Sequence, residues 1–184
     1  KQNKLVLLDT LHLGKPWPNR ISPAGLCVDD HRGLLYVVTK ENNSLYVLDT
    51  RTKKIVYQDT IGKELYTCAL SPDRRKLYLT HWGGNELIVW DTYRRHITAR
   101  IPVGDNPNDL IINRRGTLAY VACADDNAVS VVDLTRQKVT ETLVATLYPD
   151  APTGSTTNSV ALSPDEKTLY IANADNNCLA VFDV

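Results

Sequence analysis

The side chains able to do chemistry in this 184-residue sequence are four histidines, four cysteines and a set of regularly spaced aspartates. Asp49, Asp91, Asp133 and Asp183 stand 42, 42 and 50 residues apart. Paired carboxylates can divide acid and base work, but a group that recurs once per repeat at a turn points to structure instead. His12, His31, His81 and His96 share no metal-ligand spacing. Cys27, Cys68, Cys123 and Cys178 form no C-x-x-C pair, so a zinc or thioredoxin-type site is not expected and buried free thiols are. H-E-x-x-H, a Gly-rich phosphate loop and G-x-S-x-G are all missing from the sequence. The expectation is no catalytic constellation, no metal and no cofactor. What remains is a group suited to binding, Trp17, Arg20, His81, Trp82 and Tyr148, whose aromatic members could equally seal a rim.

The elements that must position these residues follow from the period. Tyr36, Tyr78, Tyr120 and Tyr170 repeat at the same 42, 42 and 50, each 13 residues before its Asp. Every repeat holds a short inner segment such as Cys68-Ala69-Leu70, then a turn written Ser71-Pro72-Asp73 or Ser163-Pro164-Asp165. Pro presets φ there, and Asp bonds the backbone two residues on. Second and third segments such as Leu77-Tyr78-Leu79-Thr80 and Leu87-Ile88-Val89-Trp90 are apolar nearly throughout, so both their faces must be covered. Fourth segments such as Ile97-Thr98-Ala99-Arg100-Ile101 alternate, as a half-exposed strand does. The fold class expected is all-β: a β-propeller of four-stranded antiparallel blades, with about four blades of a probable seven. Blades fall near 21–62, 65–104, 107–144 and 158–184, the last incomplete, and residues 1–14 read as the outer strand of a preceding blade. Two open blade faces this apolar call for a partner, either the rest of the same polypeptide or another chain. A closed four-bladed ring is the alternative.

The segments Tyr36-Val37-Val38-Thr39, Tyr78-Leu79-Thr80-His81, Tyr120-Val121-Ala122-Cys123 and Tyr170-Ile171-Ala172-Asn173 resemble YVTN-type propeller repeats, none as an exact copy. The stretch from Tyr148 through Ser155, running into Asn173-Ala174-Asp175-Asn176-Asn177, is similar to bacterial propellers fused ahead of an alkaline-phosphatase-like phosphoesterase domain. Trp90-Asp91 matches the WD dipeptide of WD40-like repeats, without the Gly-His that accompanies it. The resemblance implies a non-catalytic binding or scaffold segment of a larger exported bacterial protein, periplasmic or secreted, in which any phosphoesterase activity lies elsewhere. The alternative it implies is a lactonase-type enzyme with its site at the channel mouth. The chain starts at Lys1, which reads as a processed or trimmed end, and no apolar run is long enough to span a membrane.

Lysine and arginine number 21, as do aspartate and glutamate, which argues against nucleic acid. The balance hides a split. Loops between first and second and between third and fourth strands, at one end of the ring, carry fourteen cations against nine anions. Loops at the other end, here called the top, carry four against nine. Both insertions in the repeat also fall at the top, so a small-molecule or glycan ligand is expected on that acidic face.

Overall fold

The computed structural model describes residues 5–15, 18, 20–148, 152 and 156–184. Four antiparallel sheets follow one another along the chain, each a meander with strands in sequence order. The first blade holds β1 (Pro23–Asp29), β2 (Leu34–Thr39), β3 (Ser44–Asp49) and β4 (Lys54–Thr60). The second holds β5 (Leu65–Leu70), β6 (Lys76–His81), β7 (Glu86–Asp91) and β8 (His96–Pro102). The third holds β9 (Pro107–Ile112), β10 (Leu118–Cys123), β11 (Ala128–Asp133) and β12 (Lys138–Val144). The fourth stops at three strands, β13 (Thr157–Leu162), β14 (Thr168–Asn173) and β15 (Cys178–Asp183). Apart from one 3-10 turn at Trp82–Gly84, the described residues contain no helix.

The blades stack face to face through their inner strands, in the order β1, β5, β9, β13. Three cores lie between successive blades. The first joins Tyr36, Val38, Leu45 and Val47 to Leu65, Cys68, Leu79, Ile88 and Trp90. The second places Tyr78, Leu87 and Val89 against Leu110, Val121 and Val132, and the third sets Tyr120, Val129 and Val131 against Val160, Leu169 and Ile171. This is why the middle strands are apolar on both faces: alternate side chains serve two different cores. Strand β8 alternates exposed positions with half-buried or buried ones, as an outer strand at a wet edge does.

The end blades each leave one face to solvent. Leu26 and Val28 on β1, and Tyr170, Leu179 and Val181 on the fourth blade, are large apolar side chains 43–68% exposed. The first blade's outer face is partly covered by its own leading segment, where Leu13 and Ile21 pack on Val37, Tyr46 and Leu48. Of residues 1–14, expected as the outer strand of a preceding blade, the described residues 5–14 pair with no strand, although Asp9 forms an ion pair with Lys53.

The repeat is deeper in the backbone than in the residue types. Asn43, Asn85, Asn127 and Asn177 all take positive φ of 49–57° before the third strand. Asparagine tolerates that region because its short polar side chain bonds locally. Ser22, Glu64, Asn106 and Thr156 repeat the same conformation just before or at the start of the inner strand, with four different residue types. The bulge between third and fourth strands recurs at Val47/Leu48, Val89/Trp90 and Val131/Val132.

Candidate functional site at the top face

The aspartates that end the third strands are turn acceptors. Asp49 Oδ1 accepts from the N–H groups of Arg51 and Thr52, Asp91 from Tyr93 and Arg94, and Asp133 from Thr135 and Arg136, all at 2.7–3.0 Å. These bonds favour the ionised form and hold all three carboxyls below their usual range. None is free for acid–base work.

At the top face, Thr39, His81, Cys123 and Asn173 occupy one register position, the last residue of each second strand. All four are buried. Thr39 Oγ1 donates to Ser44 O, and Asn173 Nδ2 donates to Ala145 O. His81 ties the same position to the backbone from the acceptor side. Its Nε2 accepts the Lys63 N–H at 2.8 Å, which places the ring proton on Nδ1, facing Glu86 Oε2 at 3.3 Å. Burial pushes the Glu86 carboxyl up, but the hydrogen bonds from Arg100 and His81 outweigh it and the net shift is downward. Gly84 lies directly over the ring, where any Cβ would collide with the imidazole. His81 is thus clamped from above and on both nitrogens.

Trp82 follows at once and is half-buried, in the turn between β6 and β7. The Lys40 ammonium, from the β2–β3 turn of the preceding blade, lies 5.2 Å from the Trp82 ring centroid and 4.8 Å from that of Tyr66 on β5. Such contacts contribute roughly 0.5–1 kcal/mol at exposed sites. Beside them opens a polar groove of about 510 Å³ lined by Lys40, Glu41, Asn43, Lys63, Glu64 and Gly83. Two lysines face two glutamates, so this part of the acidic top is locally neutral.

Nearer the propeller axis, the heads of the inner strands carry the polar groups. Asp109 Oδ2 accepts from Ser159 Oγ at 2.7 Å and from the Val160 N–H at 3.1 Å, and its Oδ1 accepts from the Leu110 N–H. Asn108 Nδ2 donates to Asn158 Oδ1 at 3.2 Å. Ser159 thus donates directly to the Asp109 carboxylate, and among the described residues no imidazole or lysine bonds either side chain.

The family model for "Lactonase, 7-bladed beta-propeller" matches residues 58–184. The chain belongs to this lactonase-type β-propeller family. Curated relatives are bacterial. The chain is 31% identical over 155 residues to the uncharacterized protein YncE of Salmonella typhi, covering 80% of this chain and 40% of that protein. It is 26% identical over 155 residues to Antigen Lp49 of Leptospira interrogans, covering 80% and 32%. Hydrazine synthase of Kuenenia stuttgartiensis superposes with a TM-score of 0.76 at 23% identity, over 92% of this chain and 49% of that one, a likeness of fold. The chain spans 32–40% of the length of these curated relatives.

Within this lactonase-type propeller segment, the structure brings His81 and Trp82 together with Lys40, Lys63, Tyr66 and Glu86. Arg20 and Tyr148 are exposed and make no hydrogen bond, ion pair or ring contact among the described residues. Trp17 lies outside the described residues. Lys40, Tyr66, Glu86 and Asp109 were not singled out by sequence. The signal that could have found the first is its place directly after the repeated Thr39 position; nothing local marks the other three.

Proposed function

We propose that this chain is a non-catalytic binding or scaffold segment of a larger bacterial propeller protein working outside the cytoplasm. The observation that carries it is the state of His81. The His81 imidazole, bonded to the groove residue Lys63, is held by Lys63, Glu86 and Gly84 and is not presented to a ligand. What the groove presents is recognition chemistry: Lys40, Lys63, Glu41 and Glu64 line it, with the Trp82 ring behind the Lys40 ammonium. In this reading His81 positions Trp82 from beneath. Because Lys40 already occupies the cation position on both aromatic rings, the groove suits a neutral, hydroxyl-rich ligand such as a glycan better than a second cation. Further blades, from the same polypeptide or another chain, cover the apolar end faces. An accessory role beside a phosphoesterase domain extends the same reading and rests on the resemblance around Tyr148 alone.

A second reading has one observation in its favour. Asp109 sits at the axis end of the top face in a family described by its lactonases. An enzyme of that kind would use a carboxylate at the channel mouth. The test uses the intact protein and its Trp82→Ala and Asp109→Asn variants, titrated with an oligosaccharide panel and assayed on sugar lactones. Glycan affinity reduced tenfold or more by Trp82→Ala, with an unchanged melting temperature, is the expected result. Lactone hydrolysis abolished by Asp109→Asn would replace the binding reading with the enzymatic one.

A further inference from the structure

We propose that Cys27 and Cys68 form a dithiol modification site that low-molecular-weight disulfides oxidise to a covalent tie between the first and second blades. The two residues sit on neighbouring inner strands of different blades. Cys68 Sγ lies 3.6 Å from Cys27 Sγ, with the thiols in contact. A disulfide bond is about 2.05 Å long, so small side-chain rotations close the gap.

The repeat shows why they meet. Cys27, Ala69 and Ile111 share one register position, whose side chain points forward into the next blade's core. Cys68, Leu110 and Val160 share another, pointing back into the preceding one. The three interfaces therefore juxtapose Cys27 with Cys68, Ala69 with Leu110, and Ile111 with Val160. Two of these pairs are purely aliphatic. The first substitutes a thiol on both sides at once, where a single thiol would have served packing equally well.

The strands also approach closely here. A Cβ on Gly25 would lie 2.5 Å from Thr67 Cα, so the backbones of β1 and β5 nearly touch beside the thiol pair. Cys27 is half-buried and Cys68 buried. That asymmetry orders the chemistry. The Cys27 thiolate attacks one sulfur of the small disulfide, forming a mixed disulfide and expelling one thiol. Cys68 then loses its proton and attacks Cys27 Sγ, expelling the second. The sum is two protein thiols plus one small disulfide giving one protein disulfide plus two small thiols, with electrons and protons balanced. The contact with the Cys27 sulfur, and then burial, push the Cys68 thiol up, which suits the second, intramolecular step better than the first.

The experiment treats the intact protein with excess oxidised glutathione in mildly alkaline buffer, alkylates remaining thiols and digests with trypsin. The expected product joins the peptide of residues 21–32 to that of residues 64–74, with loss of two hydrogen atoms. The melting temperature should rise by about 5–10 °C and return on reduction. Cys27→Ala, which copies Ala69, and Cys68→Val, which copies Val160, keep each site in a residue its own register uses. Both should abolish the linked peptide and the temperature shift. Glutathione retained on Cys27 without a link, both thiols left free, or a link from either residue to Cys123 or Cys178 would each overturn the proposal.

Discussion

Replacing Asp29 with Asn isolates an ion network that fastens the lower ends of the first two blades. Asp29 shares its register with Ser71, Asn113 and Ser163, each of which caps the first turn of its blade without charge. Asparagine is thus already proven at this position and keeps the turn. What Asp29→Asn removes is charge. The carboxylate is fully buried and takes the Arg32 Nε at 2.5 Å and the Arg32 N–H at 3.1 Å, with Arg74 Nε of the second blade at 3.5 Å. Arg32 in turn reaches Thr92 O, Arg74 O and Tyr36 Oη, and lies over the Tyr93 ring.

A hydrogen bond to a charged group contributes about 1.5–3 kcal/mol, and breaking a fully buried pair about 3–5. The Arg32 side chain is 19% exposed and regains some water, while Arg74 at 41% is largely screened. The expected loss at neutral pH is therefore about 1.5–3 kcal/mol. Burial pushes the Asp29 carboxyl up, but the Arg32 bonds and the two guanidinium charges outweigh it, and its net shift is downward. A depressed carboxyl stabilises the fold fully above the unfolded-chain value of about 3.9 and ceases to as pH falls through the lower folded value. Urea unfolding of parent and variant should accordingly show a constant difference from neutral pH to about pH 5, closing below about pH 4. Other depressed carboxyls, such as Asp73 and Asp165, act on both proteins alike and cancel in the difference. A loss under about 0.5 kcal/mol, or a difference that does not narrow in acid, refutes the network as the source of blade-to-blade stability.

Substitutions at two more positions probe the same interface from within. Gly25→Ala should destabilise by about 1–3 kcal/mol in urea, because its Cβ meets backbone, the Thr67 Cα and Tyr66 O, and only separation of the blades relieves it. Trp90 packs between Tyr36 and Tyr57 at centroid distances of 6.2 and 5.7 Å, with its Nε1 buried and unpartnered among the described residues. Trp90→Phe should then stay within about 1.5 kcal/mol of the parent in chemical denaturation, since the packing lost is offset by removing an unsatisfied donor, whereas Trp90→Ala should cost about 3–5.

The 42-residue recurrence of Tyr and Asp, with two apolar strands between a small inner and an alternating outer one, was sufficient to determine the blades, because a strand buried on both faces is written in every residue it contains. The turn role of Asp49, Asp91 and Asp133 was legible for the same reason, since the bonds are local, two and three residues along the chain. The site was not. Lys40 meets Trp82 across 42 residues and Asp109 meets Ser159 across 50, one register length each, so neighbouring blades bring equivalent regions together only once they stack. His81 shows the limit most plainly. By residue type it is a ligand-binding candidate, and its period with Thr39, Cys123 and Asn173 hints otherwise, but only the packed structure puts a backbone N–H on one nitrogen, a carboxylate on the other and Gly84 above the ring. The same holds for Cys27 and Cys68, which are 41 residues apart in sequence and in contact in space because the forward face of one inner strand meets the backward face of the next.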